Sequence, residues 1–152
     1  MTEQARIIPG ACHCGNLDYA LHWPAGDAVI AARHCGCSFC RKHGAAWTSN
    51  PKGELHAIVH NAQRVSAYRF GTSTADFLIC ATCGVPTLVV GASPAGLHAV
   101  VNVNTLDTAG FTLEDAVADF DGEALEERLA RRHRNWIPKV TMRGLSLDER
   151  SG

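Results

Sequence analysis

The sequence lacks a long apolar segment and an excess of charge of one sign. No apolar run approaches the roughly 20 residues that a helix needs to cross a bilayer, so no membrane span is expected. Lys and Arg total 14 against 15 Asp and Glu, which gives a net charge of −1. The chain as a whole therefore has no positive field of the kind that attracts nucleic acid. A small-molecule partner is expected instead of a membrane or a nucleic acid.

The N-terminal region also lacks a secretory pattern, because no apolar run follows a basic stretch there. A cytoplasmic location is the expectation, and cysteines that cluster in a reducing compartment bind metal or act in catalysis. Disulfides fit the sequence poorly. The seven cysteines are an odd number, and two cysteines in a C-x-C pair cannot easily meet the strict geometry of a disulfide.

The 152 residues are enough for one domain with its own core, so residues 1–152 are predicted to form a single domain. Most of the chain reads as short strands separated by turns. In the segment 17–23 apolar and other residues alternate, as in a strand with one buried face. Further predicted strands are 28–34, 55–59, 64–70, 75–80, 87–90 and 97–103. This density of strands and turns predicts a mainly β fold of antiparallel sheets.

Helix is predicted only in a C-terminal extension of about residues 112–137. Leu113–Val117 could form one turn with Thr112 as its N-cap. Glu123–Trp136 is the strongest helical segment, with three apolar side chains on one face, and Pro138 ends it. The fold is thus expected to end in a short helix.

That helical segment is rich in both signs of charge. Its basic residues are Arg128, Arg131, Arg132, His133 and Arg134. Its acidic residues are Glu123, Glu126 and Glu127. Opposite charges three or four residues apart are typical of a solvated helix face, and this is the expected role of the basic cluster.

The cysteines fall into three groups, and these groups carry most of the functional information. The groups are Cys12-His13-Cys14, Cys35-Gly36-Cys37-Ser38-Phe39-Cys40 and Cys80-Ala81-Thr82-Cys83-Gly84. Two pairs supply four thiolates, which close a tetrahedral zinc site, whereas a triple supplies three and leaves one position open. The sequence therefore favours two zinc ions, one structural and one catalytic. Spacing alone does not fix this partition, since Cys35 and Cys37 could join either pair.

The triple suggests thiol chemistry. Zinc with three thiolates is a weak Lewis acid, but it accepts a soft fourth ligand such as a substrate thiol and holds it as a thiolate. The neighbouring residues His34, Arg41, Lys42 and His43 could balance the anionic centre and attract an acidic thiol such as glutathione. Either histidine could instead complete the site as a fourth ligand.

The chain resembles the glutathione-dependent formaldehyde-activating enzymes and the related centromere protein V-like proteins over about residues 9–107. The matching segments are Gly10–Gly15, Cys35–Arg41, Cys80–Gly84 and Asn102–Asp107, followed by Asp119–Gly122 and Arg134–Ile137, which resemble one branch of the family. Many members have Cys-His-Cys in the triple, where this chain has Gly36.

The resemblance implies coiled antiparallel sheets of the β-tent type. It also implies structural zinc at Cys12, Cys14, Cys80 and Cys83, and catalytic zinc at Cys35, Cys37 and Cys40. The family activity is that of a carbon–sulfur lyase that joins glutathione and formaldehyde as S-hydroxymethylglutathione. The expected partners are therefore a thiol like glutathione and an aldehyde.

Two other functions are alternatives to the lyase. A non-catalytic zinc module for protein or nucleic-acid recognition would need a fourth ligand at the triple. A methionine sulfoxide reductase would need a nucleophilic cysteine away from the metal, and every cysteine here belongs to a cluster. Trp23 and Trp136 are expected in the core. Four further residues are weaker candidates for a pocket lining: Trp47, Asn102, Asn104 and Thr105.

Overall fold

Within residues 5–147, which the computed structural model describes, eleven β-strands form two sheets. The first sheet contains β1 (Arg6–Ala11), β2 (Leu17–Trp23), β5 (Glu54–Val59) and β11 (Lys139–Arg143), in that order. The second contains, in spatial order, β10 (Thr112–Ala118), β3 (Val29–Cys35), β4 (Trp47–Thr48), β9 (Gly96–Asn102), β8 (Pro86–Ser93), β7 (Ala75–Cys80) and β6 (Val65–Tyr68). The predicted mainly β fold of coiled antiparallel sheets, β-tent in type, is confirmed.

The core lies on the inner faces of the two sheets. Strand β2 shows why, because its apolar residues occupy alternate positions and all of them are buried. They are Leu17, Tyr19, Leu21 and Trp23. Strands β7, β8 and β9 contribute buried side chains to the same core, among them Leu78, Leu88 and Val101. Trp23 is a core residue as predicted, at 2% exposure.

Two strands at sheet edges are parallel to their neighbours, unlike the other pairs. Strand β10 runs parallel to β3 over seven residue pairs, from Thr112↔Val29 to Ala118↔Cys35. Strand β11 runs parallel to β5. The predicted helical turn over Leu113–Val117 is therefore wrong, since this segment is extended and hydrogen-bonded to β3. Its exposed side chains gave no buried alternation by which a strand could be recognised.

Two α-helices are present in the described residues. The first, α1 (Ser38–His43), was not predicted, because six residues are too few to show helical periodicity. The second, α2 (Leu125–Asn135), confirms the predicted C-terminal helix with slightly shorter bounds. No residue of α2 is fully buried, and Leu125 and Leu129 remain exposed. Neither helix is long and apolar enough to cross a membrane.

Candidate metal centres and the cavity beside them

Four cysteines meet where the two sheets approach each other. Cys12 and Cys14 lie in the turn after β1, Cys80 ends β7, and Cys83 lies in the following turn. The Sγ atoms of Cys14 and Cys80 are 3.5 Å apart, and those of Cys12 and Cys14 are 3.8 Å apart. A tetrahedral zinc with Zn–S bonds of about 2.3 Å places its sulfurs roughly 3.7 Å apart. This four-cysteine cluster (Cys12, Cys14, Cys80, Cys83) therefore has the dimensions of a closed metal site.

Both turns of the four-cysteine cluster depend on glycine. Gly15 and Gly84 have φ angles of 87° and 81°, in the left-handed region that glycine adopts without strain. Their backbone N–H groups donate to the carbonyl oxygens of Cys12 and Cys80. The chain can therefore curl beneath the sulfurs, as the trailing glycines in the sequence indicated.

The triple forms a second group beside the start of α1. Cys35 ends β3, Cys37 is the N-cap of α1, and Cys40 lies inside that helix. The Cys37 Sγ accepts a hydrogen bond from the Cys40 backbone N–H at 3.4 Å. All three Sγ atoms lie within 4.8 Å of one another, so this three-cysteine cluster (Cys35, Cys37, Cys40) could also hold a metal ion.

The surroundings of the three-cysteine cluster favour negative charge on sulfur. A hydrogen bond from the Cys40 thiol, assisted by the positive charge of Arg131, lowers the pKa of Cys35 to about 5. The same hydrogen bond raises the pKa of Cys40. Trp47 Nε1–H also donates to the Cys40 sulfur at 3.3 Å. Such donors stabilise sulfur that carries negative charge, as metal-bound thiolate does.

Neither candidate histidine joins the three-cysteine cluster in the part of the chain that the structure describes. His34 points to Asp115, with Nε2 3.1 Å from Oδ1. His43 packs its ring against Phe39, with centroids 4.5 Å apart. Arg41 and Lys42 are exposed at the end of α1 and do not line the adjoining cavity. Within residues 5–147 this cluster therefore offers three cysteine sulfurs and no fourth candidate ligand.

A cavity of about 170 Å³ opens directly onto the three-cysteine cluster. Its apolar part includes Trp47, Phe77, Val89 and Val100. Residues 118–121, which comprise the last residue of β10 and the three that follow it, lie on another side of the cavity. Trp136, which we expected in the core, is buried at 8% exposure and also borders this cavity. The cavity thus combines sulfur ligands with a partly aromatic lining.

Four arginines line the same cavity and form what we call the arginine wall: Arg33, Arg128, Arg131 and Arg132. Three of them belong to the basic cluster that we expected on a solvated helix face, so for these three the expectation was wrong. Positions 128, 131 and 132 are spaced i, i+3 and i+4 and therefore share one face of α2. That spacing was the available sequence signal. It was missed because Glu123 and the other charged residues of the helix also fit a solvated face.

Two arginines of the arginine wall share one carboxylate partner, and the other two have none in the described chain. Glu123 accepts hydrogen bonds from Arg128 at 3.2 Å and from Arg131 at 2.9 Å. Among the described residues, Arg33 and Arg132 have no carboxylate partner. Arg33 donates to the Ser49 hydroxyl, and Arg132 donates to the Thr74 hydroxyl at 2.7 Å.

Burial makes these two charges costly. The Nε atom of Arg132 is buried without a hydrogen-bond partner. Desolvation, with repulsion from Arg128 and Arg131, lowers the pKa of Arg132 to about 10. Desolvation also lowers the pKa of Arg33, with a contribution from Arg131. Half-buried cations without a carboxylate partner beside a cavity provide a place for an anionic group.

The other three pocket candidates have structural contacts. Asn102 is buried and donates from its side chain to the Pro86 carbonyl, while its Oδ1 accepts from the Asn104 backbone. Thr105 bonds to the Asn102 carbonyl and to the Tyr19 hydroxyl. These side chains hold the turn after β9, and they do not line the cavity. Of the four candidates, Trp47 alone does.

Comparison with known proteins finds a matching family and a similar protein of known structure. Residues 7–120 match the family described as glutathione-dependent formaldehyde-activating enzyme. A crystal structure of a protein from Rhodobacter sphaeroides is 31% identical in sequence. The match covers 70% of this chain and 99% of that chain, with a TM-score of 0.48. The family match spans both cysteine clusters and ends within the segment that borders the cavity.

Proposed function

Since the chain belongs to the glutathione-dependent formaldehyde-activating enzyme family, we propose that it is a zinc-dependent carbon–sulfur lyase acting on thiol–aldehyde adducts. One observation carries the proposal. A cluster of three protein thiols, without a fourth protein ligand in residues 5–147, opens into a cavity that is lined by half-buried arginines. A non-catalytic module has no need of an open ligand position or of unneutralised cations beside it.

The two cysteine clusters have different proposed roles. The four-cysteine cluster would hold a structural zinc that joins the turn after β1 to the end of β7, and so connects the two sheets. The three-cysteine cluster would hold the catalytic zinc, with Cys35, Cys37 and Cys40 as its ligands. A zinc ion at this second cluster would lower the pKa of a substrate thiol and keep it as a thiolate.

The arginine wall would receive the acidic end of the thiol substrate. Arg33 and Arg132 have no carboxylate partner of their own in the described chain, so a substrate carboxylate could form charge-assisted hydrogen bonds with them. Glutathione carries two carboxylates and fits this requirement. This assignment moves the substrate contact from Arg41 and Lys42, which are exposed, to arginines that border the cavity.

The proposed reaction is the addition of a thiol to an aldehyde carbonyl, or its reversal. The sulfur–carbon bond forms, the carbonyl π bond breaks, and the proton lost from the thiol ends on the carbonyl oxygen. The protein contributes by holding sulfur near the three-cysteine cluster and by fixing the carboxylate at the arginine wall. Trp47 and Phe77 would exclude water from the reacting atoms.

Cobalt substitution provides the test, because thiolate ligands give Co²⁺ strong charge-transfer bands. Glutathione added to the cobalt-loaded protein should change these bands, and it should bind more tightly than 2-mercaptoethanol, which is neutral. Cys40→Ala should abolish the change and leave the fold intact, because the four-cysteine cluster is untouched. The preference for glutathione should weaken as salt rises.

The opposite results would refute the proposal. If millimolar thiol leaves the spectrum unchanged, no ligand position is open to substrate. If the spectral change persists in Cys40→Ala, the thiol binds elsewhere. Either result would favour the non-catalytic zinc module in place of the lyase.

A further inference from the structure

We infer a third metal site, for a divalent transition-metal ion such as zinc, on the outer face of the four-stranded sheet. Its ligands are His22, Glu54 and His56, whose ligand atoms all lie within 4.8 Å of one another. This site shares no residue with either cysteine cluster or with the arginine wall. It is independent of the proposed lyase activity.

The strand register brings these three side chains together. His22 on β2 lies directly opposite Glu54 on β5, and His56 follows Glu54 by two residues and so lies on the same face. The residues between them in β2 and β5 point to the core. Ala20 lies opposite His56, and its small side chain leaves room for the two imidazoles to approach with ring centroids 5.1 Å apart.

The distances within the group fit a metal ion better than direct hydrogen bonds. Glu54 Oε2 lies 3.4 Å from His56 Nε2 and 3.9 Å from His22 Nδ1. Ligand atoms at about 2.0–2.1 Å from a tetrahedral ion lie roughly 3.3 Å apart, whereas a charge-assisted hydrogen bond to a carboxylate is about 2.7–2.9 Å long. The separation between Glu54 and His56 therefore matches two ligands of one metal ion. The separation between Glu54 and His22 reaches the same value after a small rotation of the His22 ring.

Other histidines of this protein show what a direct pair looks like. His60 Nε2 lies 2.7 Å from Asp18 Oδ2, and His34 Nε2 lies 3.1 Å from Asp115 Oδ1. Both pairs close to hydrogen-bonding distance although their side chains are at least as exposed as those around Glu54. Within the described chain, no side chain donates a hydrogen bond to the Glu54 carboxylate, although its Oε2 atom lies near one nitrogen of each imidazole.

A second contact orients one of the ligands. His56 Nδ1 is 2.6 Å from the Thr141 hydroxyl on the adjacent strand β11. When the far ring nitrogen of a histidine is held by a hydrogen bond, the ring is fixed and the near nitrogen is presented to the metal. Two imidazoles and one carboxylate form a donor set that suits zinc and nickel, and they leave a coordination position for water or another ligand.

Nickel provides the probe, because it is paramagnetic and binds imidazole well. The zinc-loaded full chain is labelled with ¹⁵N and titrated with Ni²⁺. Backbone amide signals of Ile7, His22, Glu54, His56 and Thr141 should broaden first. His56→Ala and Glu54→Gln should each weaken nickel binding by roughly tenfold or more. The same spectra show directly whether each variant is folded.

His60→Ala is the matched control, since it removes an exposed histidine beside a carboxylate outside the group. The amide signals of this variant should broaden on addition of Ni²⁺ as those of the wild type do. The inference is overturned if no amide broadens in the wild type, if broadening is confined to the cysteine clusters or spreads over all exposed histidines, or if a folded His56→Ala variant retains the wild-type pattern.

Discussion

Replacing Arg132 by methionine should lower the proposed affinity for an anionic thiol without lowering the stability of the protein. Methionine keeps much of the length and apolar contact of the side chain, but it removes the charge, together with the guanidinium group that lies over the Trp136 ring. It also removes the hydrogen bond to Thr74. The arginine beside the cavity is thus lost with little change in volume.

The pKa of Arg132 sets the size of the effect on stability. Desolvation and the neighbouring arginines lower this pKa to about 10 from the ordinary value of arginine, which corresponds to about 3 kcal/mol against the charged form. Contact with solvent reduces this cost to about 1–2 kcal/mol. The cost is present at all pH values below about 10. It disappears as pH rises from about 10 toward the ordinary arginine pKa, where the folded protein loses the proton and the unfolded chain keeps it.

The lost hydrogen bond to Thr74 offsets about 1 kcal/mol of this gain. Arg132→Met should therefore leave the free energy of unfolding at pH 7 unchanged or raise it by about 1 kcal/mol. Glutathione affinity should fall roughly 10- to 100-fold, because hydrogen bonds to a charged group are worth about 1.5–3 kcal/mol. Urea unfolding and thiol titration of the zinc-loaded protein measure both quantities.

Arg41→Met is the control, since Arg41 is exposed and does not border the cavity. It should change neither quantity. The reasoning is refuted if Arg132→Met binds glutathione like the wild type, or if it loses several kcal/mol of stability.

Three further substitutions test other parts of the structure. Cys83→Ser should give insoluble or unfolded protein, since a structural zinc contributes on the order of 10 kcal/mol; a soluble variant with wild-type melting would contradict that role. Glu123→Gln should tighten glutathione binding by freeing its two arginine partners. These arginines lower the Glu123 pKa, so the stability that their ion pairs provide should be lost as pH falls through that lowered pKa, and the variant should lack this acid dependence in urea unfolding. Gly36→His should fold normally, as only the Ala118 carbonyl oxygen lies within 4 Å of an added Cβ, at 3.8 Å; a large fall in melting temperature would contradict this.

The features that could be predicted from the sequence are those that depend on residues close together in the chain. Strand β2 was recognised because its buried residues alternate without interruption. The thiols within each of the three sequence groups lie together because they are close in the sequence, and Gly15 and Gly84 permit the turns of the two pairs. The approach of Cys14 to Cys80, 66 residues apart, required the family resemblance in addition.

The features that were missed depend on tertiary contacts. Strand β10 has almost no buried side chain, and only its pairing with β3 makes it extended. The position of α2 beside the cavity is likewise set by the strands on either side of it. A pattern of charges cannot show whether the face that carries Arg128 and Arg132 meets solvent or a cavity.

The parallel pairing of β10 with β3 also bears on the order in which the molecule is assembled. Residues 112–118 must find partners at 29–35, and such distant pairings form slowly because a long loop must close first. The cysteines of the three-cysteine cluster lie at the start of this loop, so their thiols can come together before the loop closes. The segment that covers one side of their cavity is placed only when β10 pairs with β3. We therefore expect metal loading to precede completion of the cavity during biosynthesis. Pulsed hydrogen exchange during refolding should show β10 amides protected later than those of β8 and β9, and earlier protection of β10 would contradict this order.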